Sequence, residues 1–212
     1  MSKGNFQITR SSQLDAKGPI ALKRHEITEA MIDYPQDLLD RAAKIRLLLM
    51  DCDGVLTDGT IYFIPGPDGT VAETKAFDCQ DGIAFKWIRE AGIDTGIITG
   101  RGGLAVQERA RTAKMRFLVE GHTDKLGSFE NIMQEAGVSA DEIAYVGDDV
   151  TDLPLLKRVG LAVGPANSRP EVCEVIHWKT PTRGGNGVIR DVVELILKAQ
   201  GKWEQTMAQY QG

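Results

Sequence analysis

Two aspartates separated by one residue, Asp51-Cys52-Asp53, open the segment Asp51–Gly59 (DCDGVLTDG), and a second acidic group, Asp148, Asp149 and Asp152, lies far downstream in GDDVTD. In extended backbone, side chains at i and i+2 point to the same side, and Gly54 permits a sharp departure from a strand. Carboxylates gathered at one point repel one another unless a cation sits among them. Hard oxygen ligands of this kind suit Mg²⁺, which keeps part of its water and usually bridges to a phosphate. Between the two groups stands Thr99-Gly100-Arg101: a hydroxyl, an open backbone and a fork-shaped guanidinium, which a phosphate can use together. Lys125 sits near the start of an expected helix, where the dipole disfavours positive charge, a placement more easily explained if an anion lies opposite. Each feature has a plainer reading when taken alone. The aspartates could cap a helix or solvate a loop, Thr99 could be a helix N-cap, and Lys125 could be a solvated surface lysine. Their convergence favours a metal-assisted phosphate site.

The elements that must position these residues follow from the apolar pattern. Ile45–Met50 is a short apolar run ending abruptly in Asp51, as a strand buried on both faces would. Ile61–Ile64 and Thr70–Phe77 flank Pro65-Gly66-Pro67-Asp68-Gly69 and read as a hairpin. There follow a helix over 81–91, a strand over 95–98, a helix around 103–114, a strand over 117–119 and a helix over about 124–136. Strand 143–146, helix 152–158, strand 161–163, a short helix near 168–173, an edge strand over 175–178 and a helix over 188–199 complete the chain. Alternating strands and helices predict an α/β fold, a doubly wound parallel sheet with helices on both faces. In such sheets ligands bind beyond the carboxyl ends of the strands, where Asp51, Asp53, Thr99, Arg101, Asp148 and Asp149 are expected, with Lys125 just past the third strand. The chain divides into an N-terminal extension (1–40), an α/β domain (41–200) and a C-terminal tail (201–212). The extension carries a patchy helical pattern, Leu22, Ile27, Met31 and Ile32, which Pro35 interrupts.

The chain has 212 residues, 42% apolar and 26% charged, with a formal charge of −5, which argues against disorder and against nucleic acid or an anionic membrane as main partner. No apolar run is long enough to span a membrane, and no secretory signal pattern is present. Three widely spaced cysteines, Cys52, Cys79 and Cys173, suggest neither a disulfide framework nor a zinc site, so a cytoplasmic location is expected. Cys52 is expected to point into the core, as are Trp87 and Ile88. His25, His122 and His177 are assigned ordinary core or surface placements.

The order DxDGxLTDG, strand-end Thr, Lys, GDDxxD resembles the haloacid dehalogenase superfamily of phosphotransferases over roughly residues 45–200. That resemblance implies Asp51 as nucleophile, forming an aspartyl-phosphate, and Asp53 as acid to the leaving oxygen and then base for water. It implies Thr99 and Lys125 as holders of the phosphoryl oxygens. Mg²⁺ would be held by the Asp51 carboxylate, the Asp53 backbone carbonyl and Asp148, supported by Asp149 and Asp152. The hairpin in place of a large cap domain, together with KAFDCQDG (75–82), IITGR (97–101), AYVGDD (144–149) and RGGNGVIR (183–190), resembles the 3-deoxy-D-manno-octulosonate (KDO) 8-phosphate phosphatases of lipopolysaccharide precursor synthesis. In that family hairpins assemble a homotetramer and the neighbouring subunit helps close the site. The resemblance assigns substrate contacts to Asp53, Asp78, Cys79, Gln80, Asp81, Gly82, Lys86, Gly100, Arg101, Arg109 and Lys125. Gln80 and Lys86 stand where many octulosonate enzymes have arginines. Gly164-Pro165-Ala166-Asn167-Ser168 departs from the usual Ala/Asp-containing stretch and looks closer to the 2-keto-3-deoxynononate 9-phosphate phosphatases. Two other classes are weighed against this. A receiver-type phospho-accepting domain would carry its acceptor Asp after the third strand, where this chain has Glu120. A catalytically silent scaffold would not need every acid, hydroxyl and lysine position filled.

Overall fold

The structure, a computed structural model, describes residues 34–121 and 124–211. The expected helical pattern over 22–32, His25 and His122 lie outside these residues.

The domain is built on six parallel strands in the order β5-β4-β1-β6-β7-β8. They are β1 (Leu47–Met50), β4 (Asp94–Thr99), β5 (Phe117–Glu120), β6 (Ile143–Val146), β7 (Leu161–Gly164) and β8 (Trp178–Lys179). The register aligns the ends that matter: Met50 stands opposite Ile97 on β4 and Val146 on β6, so Asp51 emerges level with the loops that follow both neighbours. Because the side-chain period of a strand is two, each strand feeds two cores. Leu48, Met50, Ile97, Ala144 and Val146 pack on one face beneath α1 (Gln36–Ala42), α2 (Cys79–Glu90) and α7 (Val188–Ala199). Leu47, Leu49, Ile98, Ile143 and Tyr145 pack on the other with α4 (Lys125–Ala136) and α5 (Leu153–Leu156). Helix α3 (Leu104–Ala113) adds Val106 and Ala110 to the first core.

Several expected boundaries shift, for local reasons. Pro35 stands at the cap position of α1 and starts a helix there. Tyr34, Leu38 and Ala42 join the core, so residues 34–40, grouped above with the extension, pack as part of the α/β unit. The helix expected over 152–158 divides into a 3₁₀ turn, Val150–Asp152, capped by Asp149, and the short α5 with a proline in its first turn. The edge strand expected over 175–178 is reduced to β8, because the N–H groups of Val175 and Ile176 close the end of α6 (Pro170–Cys173) onto Val172 O. His177 is structural: its Nδ1 accepts the Ala162 N–H at 2.9 Å.

The hairpin pairs β2 (Tyr62–Pro65) with β3 (Val71–Thr74), antiparallel and separate from the main sheet. Tyr62, Phe63, Ile64 and Val71 are all exposed. The tail folds as α8 (Trp203–Ala208). Trp203 meets Trp87 edge to face at 5.7 Å, and Trp87 Nε1 donates to the Tyr210 hydroxyl at 2.8 Å, so both tail aromatics pack on α2 of their own chain.

Candidate active site

Strand order reverses at β1, with β4 on one side and β6 on the other, and a parallel sheet leaves a crevice at such a point. Here it is a cleft of about 750 Å³ whose walls include Asp51, Asp53, Thr99, Gly100, Arg101, Lys125, Asp148 and Asp149. The fold therefore brings the four expected stretches together.

Asp51 prolongs the ladder between β1 and β6, its N–H donating to Val146 O at 2.9 Å. Its Oδ1 accepts the Cys52 N–H at 2.6 Å, and its Oδ2 lies 2.7 Å from Lys125 Nζ. Lys125 is the first residue of α4 and is buried, which removes the solvated-surface reading. Its ammonium also donates to Asp152 Oδ1 at 2.7 Å, an oxygen that accepts the Tyr145 hydroxyl at the same distance. Asp152 Oδ2 accepts the N–H groups of Asp148 and Asp149 at 3.0 and 3.3 Å. Asp152 is thus fully engaged: it grips the lysine and shapes the turn that presents Asp148. Thr99 Oγ1 accepts the Arg101 N–H and donates to Arg101 O, each at 3.2 Å, which shapes the Thr-Gly-Arg turn. The cap of α3 is Gly103, so Thr99 is not a helix cap.

Carboxylate oxygens of Asp51, Asp148 and Asp152 all lie within 4.8 Å of one another. Burial, then the Asp152 charge, pushes Asp51 up to about 6 despite Lys125. Burial, then Asp152, Asp51 and Asp149, pushes Asp148 up to about 7. For Lys125 burial works against the charged form, but Asp152 and Asp51 outweigh it and hold the ammonium above the usual lysine value. A divalent cation would reverse the strain on the acids, and the donors fit one. Among the described residues Asp148 Oδ1 is buried with no hydrogen-bond partner, whereas each Asp152 oxygen is held by two donors and each Asp51 oxygen by one, so Asp148 and then Asp51 have the most capacity left for a cation. Gly54, at φ +83°, makes this arrangement possible, because a Cβ there would overlap the Asp148 carboxylate.

Two participants escaped the sequence reading. Lys75, just beyond β3, donates to both oxygens of Asp53 at 2.7 and 2.9 Å, and its side chain is only 2% exposed. Arg101 Nη1 lies 3.4 Å from Glu73 Oε2, and its Nε lies 4.0 Å from Asp53 Oδ2. The hairpin therefore reaches the site through its charges. The only signal for Lys75 was its place at the head of the KAF run. Asn167 also lines the cleft, from a stretch whose composition was noted without a role.

The other expected substrate contacts are not brought to this cleft. Asp78 caps α2, accepting the Gln80 N–H at 2.6 Å. Arg109 donates to Asp78 O at 3.0 Å and lies over the rings of Phe77 and Phe85. Lys86 pairs with Glu90 on the exposed side of α2. Cys79 and Gln80 are exposed beside Gly82 in the first turn of that helix. Asp81 is wholly buried and accepts the Arg190 N–H at 2.9 Å, capping α7 from outside. Burial pushes the Asp81 carboxyl up to about 7, so the folded state binds a proton that the unfolded chain releases near pH 4. That contribution is complete below pH 4 and is lost as pH rises through about 7. Asp81→Asn keeps the acceptor for Arg190, so its melting temperature relative to the parent should rise from pH 4 to 7 and then level off. A pH-independent difference would refute the assignment.

Residues 110–191 match the model of the haloacid dehalogenase-like hydrolases. The curated KDO 8-phosphate phosphatase KdsC of Yersinia pestis is 39% identical over 168 residues, covering 79% of this chain and 88% of its own. That of Escherichia coli K12 is 37% identical over 173 residues, covering 82% and 90%. This chain belongs to the KDO 8-phosphate phosphatase family. A crystal structure of the Moraxella catarrhalis enzyme, solved with a magnesium ion, a phosphate ion and a KDO molecule, superposes with a TM-score of 0.78 at 34% identity, covering 84% of this chain and 100% of that one.

Family membership makes the chain a phosphoric monoester hydrolase, and the fold explains why the receiver alternative fails. At the end of β5 the carboxylate of Glu120 is committed to the start of α3, accepting the Gly103 N–H at 2.8 Å and Gln107 Nε2 at 3.0 Å. It belongs to a helix anchor and offers no phosphate acceptor. The converging carboxylates instead line the cleft beyond β1, where the strand order turns. No helix among the described residues is long and apolar enough to cross a membrane.

Proposed function

We propose that this phosphatase hydrolyses KDO 8-phosphate to KDO and phosphate, through an aspartyl-phosphate at Asp51, with Mg²⁺ as cofactor. The observation that carries the reading is the orphaned Asp148 Oδ1 beside an Asp51 carboxylate already gripped by Lys125. Asp51, Asp148 and the Asp53 backbone carbonyl would hold the ion, with Asp149 and Asp152 in support. Bound there, Mg²⁺ neutralises charge on the nucleophile and the phosphate, which otherwise repel. An Asp51 oxygen attacks phosphorus while the bond to the sugar oxygen breaks, and Asp53 gives that oxygen its proton. Asp53 then takes a proton from water, which attacks the acyl phosphate and returns Asp51 and inorganic phosphate. Lys125 and Thr99 hold the phosphoryl oxygens.

The cleft of one chain lacks the segment 78–82, and the hairpin exposes Tyr62, Phe63, Ile64 and Val71, an apolar surface of the kind that partners cover. A homotetramer joined at its hairpins, with a neighbour closing each site, fits both observations. The free cysteines Cys52, Cys79 and Cys173 suit a reducing cytoplasm. A second reading, a nononate 9-phosphate substrate, is favoured by the stretch Gly164-Pro165-Ala166-Asn167-Ser168, beside the departure of Gln80 and Lys86 from the arginines of many octulosonate enzymes.

The test is phosphate release from KDO 8-phosphate, nononate 9-phosphates, hexose phosphates and nucleotides, each with Mg²⁺ and with EDTA. KDO 8-phosphate should give the highest kcat/KM, and EDTA should remove turnover on every substrate. Equal rates in EDTA would defeat the magnesium assignment, and a better nononate substrate would move the sugar assignment.

Lys75→Met tests the acid. It frees the Asp53 carboxylate from the bidentate grip seen here, and general acids typically contribute about 10²–10⁴-fold. The variant should lose at least about tenfold on sugar phosphates and distinctly less on p-nitrophenyl phosphate, whose leaving group needs no proton, the loss common to both reporting the water-activating step. An equal loss on both substrates would mean that Lys75 does not serve the acid step, and a melting curve would then separate a folding defect from damage to the water-activating step.

A further inference from the structure

We infer that Asn167 is a positioning residue for the cation site, orienting the Asp148 carboxylate while tying together the three loops that build it. The inference rests on the magnesium reading above. Asn167 lies between β7 and α6, and its side chain bonds three separate segments. Nδ2 donates to Gly54 O at 2.9 Å and to Asp148 Oδ2 at 3.3 Å, while Oδ1 accepts the Gly184 N–H at 2.7 Å. The partners fix which way the amide points, since a backbone carbonyl can only accept and a backbone N–H can only donate. Both amide hydrogens are used.

The effect on Asp148 is directional. Asn167 engages Oδ2, and Oδ1 is the atom left buried without a partner. A carboxylate held by one oxygen and free at the other is oriented for a cation before the cation arrives. Partners of this kind, one bond removed from the metal, typically govern affinity by about 10–100-fold. The residue type matters too. An amide donates to Asp148 without adding negative charge beside Asp51, Asp148, Asp149 and Asp152.

The same side chain sets the spacing of the loops. Gly184 packs so closely on the loop after β1 that a Cβ there would overlap Gly54 O, and the Gly185 N–H donates to Val55 O at 3.0 Å. The Gly-rich segment 183–187 is therefore clamped onto the loop after β1, with Asn167 bridging the two.

The test titrates Mg²⁺ into the full chain and into Asn167→Ala, Asn167→Ser and Asp148→Asn by calorimetry, with melting temperatures of each measured in EDTA. The parent should bind Mg²⁺ and Asp148→Asn should not. Both Asn167 variants should bind with Kd raised about tenfold or more, while melting in EDTA within a few degrees of the parent. Serine offers a fallback should alanine fail to fold. An unchanged Kd in the Asn167 variants, with or without a lowered melting temperature in EDTA, overturns the inference and leaves Asn167 a loop tie. Absence of binding in the parent overturns the magnesium reading itself, and this inference falls with it.

Discussion

Asp51→Asn will abolish phosphate release, by roughly 10⁴-fold or more, and leave the fold standing. An amide cannot form the acyl phosphate, so the loss should appear in kcat and should be the same for every phosphate ester, including p-nitrophenyl phosphate. The fold should survive because the substitution is nearly isosteric and both neighbours, Cys52 and Lys125, keep at least one acceptor. The Asn carbonyl can still accept the Cys52 N–H, now at 2.6 Å on the aspartate, and Lys125 keeps Asp152 at 2.7 Å. One carboxylate fewer in a crowded group also relieves repulsion, which offsets the lost pair with Lys125. Steady-state turnover with a melting curve checks both halves. Full activity in a folded Asp51→Asn variant would remove the nucleophile assignment.

Lys125→Met should damage the molecule itself. Methionine fills the volume, but the wholly buried Asp152 then keeps only Tyr145 and two backbone N–H groups, with no countercharge. Removing one partner of a buried pair costs about 3–5 kcal/mol, a fall of about 10 °C in melting temperature for a domain of this size. Asp51 and Asp148, already raised to about 6 and about 7, would be raised further without the ammonium. A raised carboxyl contributes stability that is complete below about pH 4 and is lost as pH rises through its folded value. The deficit relative to the parent, measured in EDTA, should therefore be small at pH 4 and grow toward neutrality. An unchanged melting temperature at pH 7 would mean that Lys125 serves phosphate binding alone.

The clustering of Asp51, Asp53, Thr99, Lys125, Asp148 and Asp149 was legible because it depends on short-range rules. Apolar runs of four to six residues end in polar ones, helices intervene, and a parallel sheet then aligns the strand ends on one rim. The runs at Leu47–Met50, Ile143–Val146 and Leu161–Gly164 are buried throughout, and burial on both faces is what makes such strands readable. Lys75 and Asn167 were not legible. Nothing within a few residues of Lys75 says that the hairpin will fold back until its ammonium meets Asp53, and nothing near Asn167 says that Gly54, Asp148 and Gly184 will surround it.

Asp81 and Arg109 show the converse. The resemblance implies substrate contacts for both, and within the chain Asp81 caps α7 while Arg109 lies over two aromatic rings. A carboxylate is equally suited to a ligand or to the exposed N–H groups of a helix end, and composition cannot choose between them. What the amino-acid order determined by itself was the sheet, its rim and the kinds of group gathered there, since these follow from periodicity along the chain. Tertiary structure alone decided which group holds which, because hydrogen bonds and ion pairs form between segments brought together only by folding, and over distances of about 3 Å.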